Sequence, residues 1–192
     1  MLRRLYDWTM GLAGRRHAMS ALGLVAFIES SIFPIPPDVL IVPMVLAKRE
    51  RWLRVATVAT LGSVLGGIAG YFIGYFLFDS IGQPLLKFYG YSEEFAEFRD
   101  DYNEWGAWIV AFFGLTPFPY KVITIASGVT KLDLAVFMLA SALSRGARFF
   151  LEAALLWKFG EPIRGFIEKY LGWLAAAFLI LLFGGFLALK YL

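Results

Sequence analysis

The sequence has no cysteine and only one histidine, His17, which lies near the N-terminus. Disulfides, thiolate metal sites and cysteine nucleophiles are therefore excluded. No histidine is available inside the apolar segments for phosphoryl transfer, as a lipid phosphatase would need, and no cluster of metal ligands is found. The sequence accordingly predicts no enzyme, no cofactor and no metal site.

Charge is also scarce, at 17% of the 192 residues against about 25% in soluble domains. Hydrophobic residues make up 59% and aromatic residues 18% of the chain. A soluble domain of this length cannot bury so much apolar surface, whereas a bilayer covers it. The net charge of +3 is too small to indicate a nucleic-acid partner. The predicted fold class is an all-α integral membrane protein.

We predict a single membrane domain with five segments. These are an amphipathic N-terminal helix (1–17), a first repeat (18–78), an amphipathic surface linker (79–104), a second repeat (105–160) and a C-terminal transmembrane helix (161–192).

The clearest predicted span is 55–78, which carries no charged residue. About 20 apolar residues cross the hydrocarbon layer as a helix. Within this run a glycine recurs every four residues, at Gly62, Gly66, Gly70 and Gly74. Small residues at this spacing let another helix approach closely, which predicts tight helix packing.

Two other apolar segments, 18–47 and 105–129, are interrupted by prolines. The interrupting residues are Pro34, Pro36, Pro37, Pro117 and Pro119. Clustered prolines end a helix, and broken backbone at membrane depth persists only where protein buries it or water reaches it. We predict two re-entrant hairpins, with residues 30–38 and 115–121 non-helical and close to each other.

The two interrupted segments resemble each other. Residues 34–39 read Pro-Ile-Pro-Pro-Asp-Val, and residues 117–122 read Pro-Phe-Pro-Tyr-Lys-Val. The following helices match as well, at 63–72 and 141–150. One full span separates the hairpins, so the second enters from the opposite face. This predicts an inverted repeat of two hairpins, each followed by a transmembrane helix, as in many transporters.

Loop charges predict the orientation. The 48–54 loop has four bases and one acid, whereas 79–104 has two bases and seven acids. Loops rich in lysine and arginine face the cytoplasm. We therefore expect 48–54 inside and 79–104 outside.

Six ionisable residues lie within apolar segments: Glu29, Asp38, Lys121, Arg145, Arg148 and Glu152. Each costs at least about 2.5–3.5 kcal/mol at the bilayer centre, so they are expected to pair, bind a ligand or reach water. Arg148 and Glu152 are four residues apart on one helical face, which predicts a salt bridge. The other two cations are then left to meet the other two acids, or an anion. Arginine suits phosphate because its planar fork donates two parallel hydrogen bonds.

Several of these motifs together resemble the DedA family, also called the VTT or SNARE-associated membrane domain, and most of all its short YqaA-type branch. They are Phe27–Asp38 with its Glu-x4-Pro-x-Pro-x-Asp pattern, the glycine stripe from Gly62 to Gly74, Phe113-Gly114 through Lys121, and Gly128 before a charged helix. The resemblance covers roughly residues 20–160.

The resemblance implies a transporter that moves phospholipids or a polyprenyl phosphate between leaflets, often driven by the proton-motive force. The family's essential acids correspond to Glu29 and Asp38, the expected proton-coupling residues. Its second hairpin usually carries two arginines, where this chain has Leu115 and Lys121. Two further arginines, in the next helix, are expected to supply the missing charge.

The function expected from the sequence is therefore a lipid-phosphate transporter of the bacterial inner membrane, with several spans. Membrane lipids are its expected partners and protons its coupling ion. Lys121, Arg145 and Arg148 are the expected phosphate ligands. A proton- or ion-coupled transporter of a small solute fits the same charges, and a non-transporting assembly factor is a further alternative. The oligomeric state is left open.

Overall fold

The computed structural model describes residues 17–33, 35–116, 118–160 and 162, and the regular structure in these ranges is entirely helical. The helices are α1 (Ala18–Ser31), α2 (Asp38–Ala47), α3 (Trp52–Leu77), α4 (Gln83–Tyr89), α5 (Ser92–Leu115), α6 (Tyr120–Val129) and α7 (Leu134–Gly160). A 3-10 turn precedes α3, and a π-helical turn joins α3 to α4. The all-α class is confirmed for this part of the chain.

Some predicted features fall outside the described residues. The amphipathic helix at 1–17 does so except for its last residue, and the C-terminal span at 161–192 does so except for Pro162. The same holds for Pro34 and Pro117. These features stay predictions.

Within the described residues, two helices are long and apolar enough to cross a membrane. One is the continuous helical stretch Arg49–Tyr89, which contains α3, and the other is α7. Both direct large apolar side chains away from the protein: Leu61, Leu65, Phe76, Leu139 and Leu143 are each more than half exposed. An extended apolar surface of this kind is suited to contact with lipid. The predicted span 55–78 thus coincides with a candidate membrane helix.

Each of the two proline-rich segments contains a break between helices. Helix α1 ends at Ser31 and α2 begins at Asp38, while α5 ends at Leu115 and α6 begins at Tyr120. Both breaks are shorter than predicted. The prolines immediately precede α2 and α6, and the first turn of a helix does not use the amide hydrogen that proline lacks. A helix can therefore resume directly after the proline.

A second difference concerns the predicted surface linker, 79–104. Its latter half is the first part of α5, which continues past residue 104 without a break to Leu115. Acidic residues crowd the beginning of α5 and apolar residues its end. The change from polar to apolar residues is the predicted boundary between two segments. It does not interrupt the backbone, because α5 contains no proline that would end the helix.

Helix α3 packs through its glycine stripe, Gly62, Gly66, Gly70 and Gly74. The first two glycines lie against the backbone of Gly23 and Phe27 in α1, and the last two contact Thr124 and Ile125 in α6. A Cβ atom at any of the four would overlap these neighbours. One face of α3 therefore packs against both α1, which ends at the first break, and α6, which begins after the second break.

Two apolar clusters fill the interior, one towards each end of the long helices. The first joins α1, α2, the start of α3 and the end of α7, around Val55 and Phe149. The second joins the end of α3 with α5, α6 and the start of α7, around Tyr71 and Phe137. Between them lies a set of buried polar side chains, here called the polar layer: Glu29, Ser30, Ser63, Thr124, Ser141, Ser144 and Arg145. It lies near the middle of α3 and α7.

Candidate functional site

The polar layer contains a buried ion pair between α1 and α7, here called the closed pair. The Nη2 atom of Arg145 lies 2.9 Å from Oε2 of Glu29. The side chains are 1% and 9% exposed. Such a pair must satisfy its remaining hydrogen-bonding atoms inside the protein, because an unpaired buried charge is costly.

Hydroxyl groups and aromatic rings enclose the closed pair. Arg145 Nε donates to the Ser63 hydroxyl at 2.7 Å, and the Ser30 hydroxyl donates to Glu29 at 3.0 Å. The rings of Tyr120 and Phe149 lie 4.8 Å and 4.6 Å from the guanidinium carbon. Cations are attracted to aromatic faces at this range. The Nη1 group of Arg145 is buried and has no hydrogen-bond partner among the described residues.

The beginning of α6 also contacts the closed pair. The backbone amide of Tyr120, the first residue of α6, donates to Oε1 of Glu29 at 3.3 Å. Helix N-termini carry partial positive charge, which favours a carboxylate there. Glu29 in α1 thus serves as the acid at the start of α6, as Asp38 does at the start of α2.

A second ion pair, here called the open pair, links α2 to α7. Arg148 Nη2 donates to both carboxylate oxygens of Asp38, at 3.0 and 3.1 Å. Its Nη1 atom donates to the backbone carbonyl of Thr116 at 2.7 Å. The Arg148 and Asp38 side chains are 18% and 29% exposed. One arginine therefore binds the acid after the first break and the backbone within the second.

The predicted salt bridge between Arg148 and Glu152 is not the pair that forms. Arg148 is bound to Asp38 of α2 instead. Four-residue spacing places Arg148 and Glu152 on one face of α7. The spacing within α7 does not show that α2 places another acid, Asp38, next to Arg148.

Lys121 lies nearer the surface than the two arginines. Its Nζ atom donates to the carbonyl oxygen of Ile32 at 3.0 Å, in the first break. Thr124 donates to the carbonyl of Ser30 at 2.9 Å. Two side chains of α6 thus bind carbonyl groups that the end of α1 leaves without helical partners. The two breaks therefore lie next to each other, although Lys121 does not reach an acid there.

Sequence reasoning missed the uncharged members of the site. Ser63, which bonds both Arg145 and Ser30, follows the first glycine of the packing stripe. The backbone amide of Tyr120 donates a hydrogen bond to Glu29, and its side-chain hydroxyl shares a 2.6 Å hydrogen bond with the Ser141 hydroxyl. Serine and tyrosine are common in membrane helices as packing and interface residues. Two positions in the sequence could have indicated these residues. Ser63 lies next to a glycine of the packing stripe, and Tyr120 directly follows a proline of the second break.

Comparison with known proteins gives two curated relatives. A protein of Histophilus somni described as an uncharacterized HI0703 homolog is 41% identical over 173 residues, which are 88% of this chain and 90% of the relative. An uncharacterized protein of Haemophilus influenzae is 35% identical over 173 residues, covering 88% and 89% of the two chains. No solved structure matches the chain.

The VTT domain matches residues 35–158, a range that begins inside the first break and ends near the end of α7. It includes Asp38, Lys121, both arginines and Glu152, while Glu29 lies just before it. The matched range is about two thirds of the chain. It contains the first candidate membrane span and all of the second except its last two residues. The chain therefore belongs to the VTT domain family of membrane proteins, the DedA family.

Proposed function

We propose that this chain is a proton-coupled, multi-pass transporter of the bacterial inner membrane. Its substrate would be a phosphate-bearing lipid, such as a phospholipid or a polyprenyl phosphate, moved between leaflets. The observation that carries this proposal is the pair of carboxylate–arginine contacts, Glu29–Arg145 and Asp38–Arg148, whose arginines lie near the middle of the candidate span α7. Ionisable residues at this depth are functional candidates by default. No catalytic residue is proposed, and the family is not a known enzyme family.

The two breaks support an inverted repeat. The order helix, break, short helix, long helix occurs twice, as α1–α2–α3 and α5–α6–α7. In the proposed arrangement each short helix re-enters from its own side, and the breaks meet at the midplane. Transporters with inverted repeats bind substrate at such a meeting point. Rocking of one repeat against the other would expose the open pair to each side in turn.

The phosphate would bind the cations near the breaks. Arg148 is the first ligand we propose, because its partner Asp38 is the more exposed acid. Lys121 would approach from the surface side, since it is bound only to a carbonyl group. Arg145 has a buried donor, Nη1, that has no partner in the part of the chain that the structure describes. A phosphate oxygen accepts such donors well, and the lipid tails would stay in the bilayer.

Proton coupling would follow from competition for one cation. Arginine stays protonated in proteins, so the group that changes charge must be the carboxylate. When a lipid phosphate binds Arg148, Asp38 loses its counter-ion, and its carboxylate then accepts a proton more readily. When the phosphate leaves, Asp38 would return to Arg148 and release that proton. Glu29 is the second acid proposed for this role.

The test is translocation of labelled phospholipid and labelled polyprenyl phosphate in proteoliposomes, with and without an imposed pH gradient. Asp38→Asn preserves side-chain shape and imitates the protonated acid, so it should retain lipid binding and lose dependence on the gradient. Arg148→Ala should weaken phosphate binding. Glu93→Gln removes an exposed acid at the start of α5 and serves as the matched control.

Different results would support different conclusions. Unchanged gradient dependence in a folded Asp38→Asn protein would move the coupling role to Glu29 or remove it. Gradient-driven uptake of a small solute without lipid movement would favour a solute transporter. If charge-removing variants acted only through stability and no transport were found, an assembly role would replace the proposal.

A further inference from the structure

A surface groove lies where the first turns of α1 and α3 meet. Its volume is about 360 Å³. Its lining residues come from these two helices and from the turn that precedes α3: Met19, Arg51, Leu53, Arg54, Thr57 and Val58. The groove therefore combines two cations with an otherwise mainly apolar surface.

The two arginines of the groove have no acid to neutralise them in the described part of the chain. Arg51 and Arg54 are exposed, and none of the ion pairs between described residues includes either one. Their spacing of three places them on one side of the helical stretch Arg49–Tyr89. Glu50, the acid of the 48–54 loop, does not line the groove. The groove thus presents positive charge that is free to meet an anion.

The polarity of the groove changes along α3. The arginines lie at the beginning of the helix, whereas Thr57 and Val58 lie one to two turns further along it. The Thr57 hydroxyl donates to the carbonyl of Leu53 in its own helix at 2.8 Å, so its donor is already used. From Arg51 to Val58 the helix advances by about 10 Å. An amphiphile with an anionic head group and an apolar chain matches this order.

The position of the groove suits the edge of a bilayer. Helix α3 belongs to a candidate membrane span, and its beginning follows the basic 3-10 turn Arg49–Arg51. Trp52, the first residue of α3, stacks on Trp157 near the end of α7, with ring centroids 5.6 Å apart. Tryptophan is enriched where a membrane meets water. We therefore expect the arginines of the groove at the level of the lipid head groups.

We propose that this groove binds the anionic head group of a membrane phospholipid. Arg51 and Arg54 hold the phosphate, and the beginning of an acyl chain lies over Leu53 and Val58. Arginine donates paired hydrogen bonds to phosphate, and basic residues at a membrane surface attract anionic lipids. Residues 1–16 match the groove poorly, because their sequence contains four arginines and one aspartate.

The lipid site is separate from the proposed transport site and does not depend on the transport function. Ser63 of the polar layer lies nine positions after Arg54. That separation is about 13 Å along the axis of α3. Since Met19 belongs to α1 and the other lining residues to α3 and its preceding turn, a bound lipid bridges the two elements. A ligand that binds only the folded chain also stabilises it.

Native mass spectrometry of the purified full chain in detergent tests the site by counting the lipids that remain bound. The probes are phosphatidylglycerol and phosphatidylcholine with identical acyl chains, and the wild type should prefer phosphatidylglycerol. Arg51→Gln combined with Arg54→Gln should weaken phosphatidylglycerol binding by about fivefold for each arginine removed, the usual contribution of a basic residue beside anionic lipid. Thr57→Trp fills the groove but keeps both arginines, and it should also lose the preference.

Two controls separate the groove from other causes. Lys87→Gln combined with Lys158→Gln removes the same charge at two exposed positions outside the groove and should keep the preference. Lys121→Ala removes a proposed transport ligand and should also keep it. Loss of the preference in Lys121→Ala, with binding unchanged in the double arginine variant, would place the lipid at the transport site and overturn the proposal.

The remaining outcomes are equally distinct. Inorganic phosphate at the same concentration should not displace the lipid, and full displacement would indicate a site for free phosphate instead. A wild type without preference for phosphatidylglycerol would overturn the proposal and leave the groove to residues 1–16 or to a second copy of the chain. Selective binding that behaves as expected in a chain that moves no lipid would support the groove and reject the transport function.

Discussion

The closed and open pairs draw their arginines from the same helix, three residues apart, but their surroundings differ. Arg145 and Glu29 are 1% and 9% exposed, and two aromatic rings and two serine hydroxyls surround them. Arg148 and Asp38 are 18% and 29% exposed, and Arg148 also donates to the backbone carbonyl of Thr116.

This difference separates two uses of an ion pair. A fully enclosed pair is closed to a competing ion until the helices around it move, and removal of one partner leaves a buried charge without its counter-ion. A partly exposed pair can exchange one partner for a substrate, because an entering group can replace the leaving one. We therefore assign stability mainly to the closed pair and exchange mainly to the open pair.

The largest expected effect comes from opening the closed pair. Glu29→Ala leaves Arg145 buried without its acid, which should lower the free energy of unfolding by about 3–5 kcal/mol. Denaturant unfolding in detergent micelles measures this. Replacing both residues, with Glu29→Leu and Arg145→Met, should recover much of the loss, because no charge is then stranded. Wild-type stability in Glu29→Ala would contradict the role assigned to the closed pair.

A smaller loss is expected from the helix contact that supports the closed pair. Gly66→Ala places a methyl group against the backbone of Phe27 in α1, two residues from Glu29. Overpacking at such a site should cost about 1–3 kcal/mol. Gly146→Ala is the matched control, because its nearest neighbour, a Thr60 methyl group, lies 3.7 Å away. Equal stability losses in the two variants would show that close packing is not the cause.

Removal of the acid of the open pair should lower the free energy of unfolding less than removal of the acid of the closed pair. Asp38→Ala leaves Arg148 partly exposed and still bonded to the Thr116 carbonyl. We expect a loss of about 1–2 kcal/mol, between the values for surface and buried pairs. The same unfolding measurement applies. A loss as large as that of Glu29→Ala would mean that the two pairs do not differ in the way proposed.

The smallest stability effect is expected at Lys121. Its hydrogen bond to Ile32 lies near the surface, so Lys121→Ala should change the unfolding free energy by less than about 1 kcal/mol. Binding of a labelled lipid phosphate should nevertheless weaken, because a proposed ligand is lost. Lys121→Arg retains the charge and should bind more nearly as the wild type does. Unchanged binding in Lys121→Ala would remove this residue from the proposed site.

Much of the fold could be read from local patterns. The apolar run at 55–78 sets a helix long enough to cross a bilayer, and the prolines set where α2 and α6 begin, because both properties depend on neighbours in sequence. The four-residue glycine spacing marked the face of α3 that other helices approach, although it did not identify those helices. The exact length of each break was not predictable, since proline allows a helix to resume immediately after it.

The partners of the charged residues were decided by tertiary structure alone. Arg148 had an acid one turn away in Glu152, yet it binds Asp38, which is 110 positions distant in sequence. The local pair was available in any α7 helix, whereas the long-range pair requires α2 to be held against α7 by the first apolar cluster. Composition and spacing predicted that the acids and arginines would face inward and pair, bind a ligand or reach water. The packing of α1, α2 and α6 around α3 and α7 decided which acid meets which arginine, because pairing follows distance in space rather than along the chain.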